Sequence, residues 1–306
     1  MIVVVLHVLL CGSASKLHKG NHNLSHSSDI DYEIQGAAAV LHFNRPDRMN
    51  AARTQTHADL IAAIDRAEAD PKVRCLILTG NGRAFCAGTD IAEGFDLPTG
   101  GDPRTGEGVP PDIGGAAVLR LFRLNKPVIA AVNGAAVGFG ASLTLACDIR
   151  LAANTAKWGF VFARRGIAAE SCSSWFLPRV VGVQTALDWM LTGRMVLAAE
   201  ALTTGLVKEV LPQDELLDAA LGIAAEIAEN TAPVSVAMNR KLVWRMMGAS
   251  HPAEAHALES RAIAARLMHP DSTEGVAAFA ERRAPAFAPD LDAADVMDGW
   301  WPTKAQ

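Results

Sequence analysis

Apolar positions along this chain follow two rhythms, and the rhythm changes near residue 210. Before it, short continuous apolar runs alternate with stretches at helical spacing. Residues 31–43 (DYEIQGAAAVLHF) alternate loosely and predict strand. Leu60, Ile61, Ile64 and Ala67 fall on one face of a helix predicted over 54–69. Residues 73–79, 127–132 and 148–153 predict strands, the first two apolar enough to be buried on both faces. Helices are predicted between them at 116–124 and 141–147, and the Gly-, Pro- and Asp-rich stretch 97–115 reads as a long loop. After Val210 only helical spacing remains, in four successive segments at 214–230, 233–247, 252–268 and 272–283. Strand, glycine-rich turn and helix thus recur before an all-helical end, an α/β layout with partly repeating units.

The first thirty residues stand apart. Met1 to Leu10 are apolar, yet no Lys or Arg precedes them as a secretory signal requires, and the Ser-, His- and Lys-rich stretch that follows holds no Arg. Residues 1–29 read as a disordered extension. His7, His18, His22 and His26 make a metal-binding tail the alternative.

Composition narrows the function classes. The chain has 306 residues, 28 Lys and Arg against 33 Asp and Glu, and a net charge of −5. That balance lacks a basic nucleic-acid footprint. No apolar run approaches the ~18–20 residues of a membrane helix. Cys11, Cys75, Cys86, Cys147 and Cys172 are odd in number without a C-x-x-C pair. They read as reduced thiols of a cytoplasmic enzyme rather than a disulfide framework.

Two glycine turns are the candidates for chemistry: residues 82–91 (GRAFCAGTDI) and 132–142 (VNGAAVGFGAS). Each follows a buried strand and places small residues where the next element begins, leaving backbone N–H groups free. Two such donors converging would hold the oxygen of a thioester carbonyl. Tight helix–strand packing alone would use the same glycines, and spacing does not separate the two readings. A complete G-x-G-x-x-G, a P-loop lysine and a G-x-S-x-G elbow are all missing.

At these motifs the chain resembles the enoyl-CoA hydratase/isomerase (crotonase) superfamily. The resemblance rests on Asn44-Arg45-Pro46 with Met49-Asn50-Ala51, on Phe85 to Ile91, on Ala131 to Gly140, and on Cys147-Asp148-Ile149-Arg150. It continues through Gly166-Ile167, Leu177 to Gly182, Leu191-Thr192-Gly193, Ala199-Glu200-Ala201, Gly205-Leu206-Val207 and Glu274-Gly275 with Phe279. It spans about residues 30–287 in family order.

The resemblance implies a crotonase-like α/β spiral of repeated ββα units over 30–230 and a helical C-terminal trimerisation region over 231–306. It implies a homotrimer or homohexamer acting on an acyl-CoA thioester, with no metal and no cofactor beyond the substrate's own coenzyme A. By position, the oxyanion donors would be the N–H groups of Ala87 and Phe139. Arg45, Ala87, Gly88, Thr89, Asp90, Ile91, Gly138, Phe162, Trp175, Phe279 and Arg282 would bind substrate or coenzyme A.

Hydratases of this superfamily typically carry two glutamates, at positions held here by Ser142 and Phe162. The remaining carboxylate is Glu170, in Ala169-Glu170-Ser171-Cys172-Ser173-Ser174. The segment is similar to the P-E-G-C-S-S motif of the peroxisomal type of 3-enoyl-CoA to 2-enoyl-CoA isomerase, with Ala169 for the Pro and Ser171 for the Gly. There one Glu moves a proton from the α- to the γ-carbon. Burial among Trp158, Phe160, Phe162 and Trp175 would raise the pKa of Glu170. A helix N-terminal residue without chemistry is the other reading of Glu170. The expected function is enoyl-CoA isomerisation. 2-Enoyl-CoA hydration is the alternative, ahead of acyl-CoA hydrolysis, aryl-CoA dehalogenation, and coenzyme A binding without turnover.

Overall fold

The computed structural model describes residues 28–92, 100–289, 297, 299 and 300. The chain opens with an antiparallel hairpin, β1 (Ile30–Gln35) and β2 (Ala38–Phe43), so the single strand expected over 31–43 is two. Gly36 turns the chain between them at φ +58°, a left-handed conformation that a side chain disfavours. Helix α1 (Thr54–Ala69) then leads to β3 (Cys75–Gly80).

From β3 onward one unit repeats. β3, β4 (Ala84–Cys86) and α2 (Ile113–Arg123) form the first ββα unit. β5 (Val128–Val132), β6 (Ala135–Val137) and α3 (Phe139–Leu145) form the second. β7 (Ile149–Ala153), β8 (Lys157–Gly159) and α4 (Ser173–Val181) form the third. In each unit the first strand joins one sheet and the second joins another. Helix α5 (Val183–Thr192), strand β9 (Met195–Leu197), helix α6 (Ala198–Thr203) and strand β10 (Glu209–Leu211) follow. The large sheet has the order β1-β2-β3-β5-β7-β10, parallel after the hairpin, and the small one β4-β6-β8-β9. This is the crotonase-type α/β spiral.

β3 and β5 are buried almost throughout, as their unbroken apolar runs require, and α7 (Leu216–Asn230) packs across them. Helices α8 (Pro233–Met246), α9 (Pro252–Leu267) and α10 (Pro270–Glu281) follow. Val234, Ala237, Met238, Leu242 and Ala262 of α8 and α9 build a small apolar cluster apart from the main core.

Three expectations need correction or limits. The extension read over 1–29 lies outside the described residues up to 27. Asp29 is buried and accepts hydrogen bonds from Arg53 (2.8 and 2.9 Å) and Thr56 (2.7 Å), so it belongs to the fold. Helix α2 begins at Ile113, three residues before its expected start. The Asp112 side chain caps it by accepting from the N–H groups of Gly114 (3.1 Å) and Gly115 (2.9 Å). Cys75, Cys86 and Cys147 are buried free thiols and Cys172 is half-buried, while Cys11 lies outside the described residues. Among the described residues no helix is long and apolar enough to cross a membrane.

Candidate active site

The two glycine turns meet. Gly88 has φ +94°, and a Cβ there would lie 2.9 Å from the Val137 carbonyl oxygen, so only glycine lets the turn after β4 approach the turn after β6. Between the turns opens a cavity of about 470 Å³. One wall is Ala87, Gly88, Thr89, Asp90 and Ile91, the opposite one Val137, Gly138 and Phe139. Val161, Phe162, Ile167 and Glu170 enclose it further, and Arg48 and Arg165 line it as exposed cations.

Glu170 reaches this cavity from an irregular segment just before α4. Ser171 (φ +52°) and Cys172 (φ +57°) are consecutive left-handed residues. That sharp turn is closed by Ser173, whose N–H and hydroxyl both donate to the Glu170 carbonyl oxygen at 3.0 and 2.7 Å. On the side chain, Oε1 accepts from the Ser142 hydroxyl of α3 at 3.2 Å and Oε2 accepts from the Ser171 hydroxyl. Asp112 holds the same turn, accepting from the Ser171 N–H at 2.7 Å.

Burial pushes the Glu170 carboxyl up to about 7; the Ser171 hydroxyl opposes this, the Asp112 charge adds to it, and Ser142 opposes it. The rise was expected, but its surroundings differ. Phe139 and Phe162 line the cavity with the carboxylate, while Phe160 stacks on Trp189 and the Trp158 indole donates to Thr144. Phe139 is itself held by an edge contact with His57, with centroids 4.3 Å apart.

Backbone donors are assigned by elimination. The Ala87 N–H donates to the Met49 carbonyl at 3.1 Å and is not available to a ligand, which corrects the expectation from position. Ala52 bonds to either side of Thr89, accepting from Asp90 (2.8 Å) and donating to Gly88 (2.7 Å). The Thr89 N–H therefore faces away from that bridge and makes no backbone bond among the described residues. Phe139 is the first residue of α3, so its N–H has no partner within the helix. Both residues line the cavity.

The chain belongs to the enoyl-CoA hydratase/isomerase family. That family's model matches residues 33–290. The chain is 37% identical to the enoyl-CoA hydratase ACTT3 of Alternaria alternata over 266 residues, 87% of this chain and 88% of that one. It is 35% identical to the 1,2-epoxyphenylacetyl-CoA isomerase of Escherichia coli strain K12, covering 83% and 96% of the two chains. A crystal structure of a probable enoyl-CoA hydratase/isomerase from Mycobacterium abscessus superimposes with a TM-score of 0.77 at 34% identity. It covers 85% of this chain and 98% of that one. The protein is thus an enzyme of the enoyl-CoA hydratase/isomerase family.

Within this family enzyme, several expected binding residues lie elsewhere. Arg45 is nearly buried, paired with Asp90 at 3.0 Å, and does not line the cavity. Trp175 sits in an aromatic cluster with Phe122, Phe176 and Trp244, under the Arg179 guanidinium. Phe279, 87% exposed, and Arg282, at the C-terminal end of α10, are on the helical end and do not line the cavity. Gly88, Thr89, Asp90, Ile91, Gly138, Phe139, Phe162 and Glu170 do come together as expected. Asp112 was missed because Gly114-Gly115 reads as loop. The available signal was an Asp directly ahead of an apolar helical pattern.

Proposed function

We propose that this enzyme isomerises an enoyl-CoA thioester by moving its double bond, with Glu170 as the single proton carrier. The supporting observation is that the Glu170 carboxyl, pushed up to about 7, lines the same cavity as Thr89 and Phe139, whose N–H groups make no backbone bond among the described residues. The thioester oxygen of a 3-enoyl-CoA accepts from the Thr89 and Phe139 N–H groups. Glu170 takes a proton from the α-carbon, and the electron pair spreads over the dienolate. The negative charge that develops on oxygen is where the donors act. Glu170 then returns the proton to the γ-carbon, giving the conjugated 2-enoyl product. A base near pH 7 serves both halves, because it must release what it has taken. Ser142 and Phe162, where hydratases carry glutamates, favour this reading and its likeness to the peroxisomal isomerase type.

Arg48 and Arg165 are the cations that would meet the coenzyme A phosphates, in place of Arg282. With a net charge of −5, that attraction must be local.

Hydration is the second reading, favoured by the names of relatives such as the Alternaria alternata protein and the (E)-benzylidenesuccinyl-CoA hydratase of Thauera aromatica, 36% identical. Chromatography and mass spectrometry of 2-enoyl, 3-enoyl and 3-hydroxyacyl-CoA species separate the readings. The expected result is conversion of 3-enoyl to 2-enoyl-CoA with no 3-hydroxyacyl product. Glu170→Gln should lower that rate by about 10³-fold or more while coenzyme A affinity stays within about twofold. Undiminished isomerisation by the variant removes Glu170 from the mechanism.

A further inference from the structure

Glu170 must be stable in two states during double-bond migration, ionised before it takes the α-proton and neutral while it holds it. A buried carboxyl that is well hydrogen-bonded in only one state would resist the change to the other. The two hydroxyls around it each have a second acceptor within reach. Ser142 Oγ lies 3.2 Å from Glu170 Oε1 and 3.1 Å from the Gly138 carbonyl oxygen. Ser171 Oγ touches Glu170 Oε2 and lies 3.5 Å from Asp112 Oδ2. Each hydroxyl has one hydrogen and can serve one acceptor at a time.

We propose that Ser142 and Ser171 are paired positioning residues whose hydroxyls turn with the charge of Glu170. Ionised Glu170 accepts from both. When it gains the α-proton, one hydroxyl turns to the Gly138 carbonyl or to Asp112, and its freed oxygen accepts the new Glu170 O–H. The proton itself stays on Glu170 until it is delivered to the γ-carbon, and no bond other than hydrogen bonds changes at the serines. Asp112 is suited to the fixed end, since the Gly114, Gly115 and Ser171 N–H groups already hold it. Ser171 stands where the similar isomerase motif has glycine, and it occupies φ +52°. A hydroxyl is therefore present at a position whose backbone geometry favours having no side chain.

Other groups facing Glu170 are few. Asp112 comes from the N-cap of α2 and Cys86 from β4, and Cys172 lies on the same turn as Glu170. Helix α3, Phe139–Leu145, carries no titratable side chain. Asp47, Arg48, Asp90 and Arg165 share the cavity.

The inference deepens the isomerase reading, and its test reads Glu170 without turnover. Infrared difference spectra across a pH titration follow the Glu170 carboxyl band, identified by its loss in Glu170→Gln, and the Asp112 carboxylate band, identified by Asp112→Asn. Ser171→Gly relieves the left-handed backbone and so should fold, and Ser142→Ala removes the other hydroxyl. Each variant should raise the Glu170 midpoint by about one pH unit. In the unaltered enzyme the Asp112 band should shift as Glu170 titrates, and in Ser171→Gly it should not. Unchanged midpoints in both variants, or an Asp112 band equally responsive in Ser171→Gly, overturn the proposal. The expected spectra without 3-enoyl-CoA isomerisation would leave the hydroxyl pair standing and remove the isomerase reading instead.

Discussion

Glu170 makes the enzyme's stability depend on pH in a direction opposite to most surface carboxylates. Its ordinary value is 4.5, and burial raises it to about 7. Below 4.5 the group is neutral in both folded and unfolded chains. Between the two values the folded protein retains a proton that the unfolded chain has lost, so stability falls as pH rises. Above the folded value the full penalty, about 3 kcal/mol, is in place. Glu170→Gln escapes it. In urea titrations the variant should exceed the native protein by roughly that amount at about pH 8.5, with the gap closing by about pH 4.5. With Glu170 as the proposed base, activity should move the other way: kcat/KM of the native enzyme should rise with pH through about 7 as Glu170 ionises. The candidacy of this residue was legible only through the likeness of Ala169 to Ser174 to an isomerase motif. Its neighbours were not, because Ser142 and Asp112 lie 28 and 58 residues before it in the chain.

At the scale of elements, helix α2 is shaped by its closeness to the turn that carries Glu170. A Cβ on Gly114 would overlap the Ser171 hydroxyl and lie 3.0 Å from both Glu170 Oε2 and the Phe139 ring. Alanine is the better helix former by about 1 kcal/mol. Gly114→Ala should therefore leave the thermal midpoint little changed while, with Glu170 as the proposed base, kcat falls at least about tenfold because that carboxylate is displaced. A loss of folding with no separable effect on turnover would count against this. The long strands and helices follow their apolar spacing closely: α1 spans Thr54–Ala69, as expected. The three-residue strands of the small sheet do not follow it. Ala84–Cys86 and Ala135–Val137 were read as parts of glycine turns, because three residues are too few to carry a period.

Across the whole molecule, the helical end reaches the site through Arg240 of α8. Its guanidinium donates to Asp148 (2.7 Å) and to the carbonyls of Leu121 (3.0 Å), Phe122 (3.1 Å) and Leu124 (2.5 Å). One buried cation thus closes the C-terminal end of the helix whose N-terminal end carries Asp112. Asp148 also accepts from the Val128 N–H (2.7 Å) and the Trp244 indole (2.6 Å). Arg240→Ala takes the cation from that carboxylate and a donor from each of three carbonyls, and should cost about 3–5 kcal/mol by denaturant titration. A cost below about 1 kcal/mol would show that the cluster does not hold α8 to the spiral.

By itself the sequence determined the alternation of buried strand, turn and helix and the helical end, and a motif's likeness to a known family pointed to the candidate carboxylate. These are local properties, set by apolar period, turn residues and short motifs. Only the tertiary structure decided which N–H groups are spent and which remain. Ala87 and Thr89 are two residues apart in one motif, and the contacts with Met49 and Ala52 spend the Ala87 N–H and leave the Thr89 N–H without a backbone partner among the described residues. It likewise decided that Arg45 pairs with Asp90 and that Phe279 and Arg282 stand away from the cavity. Pairings between distant segments depend on how the units stack, and a linear pattern carries no record of that.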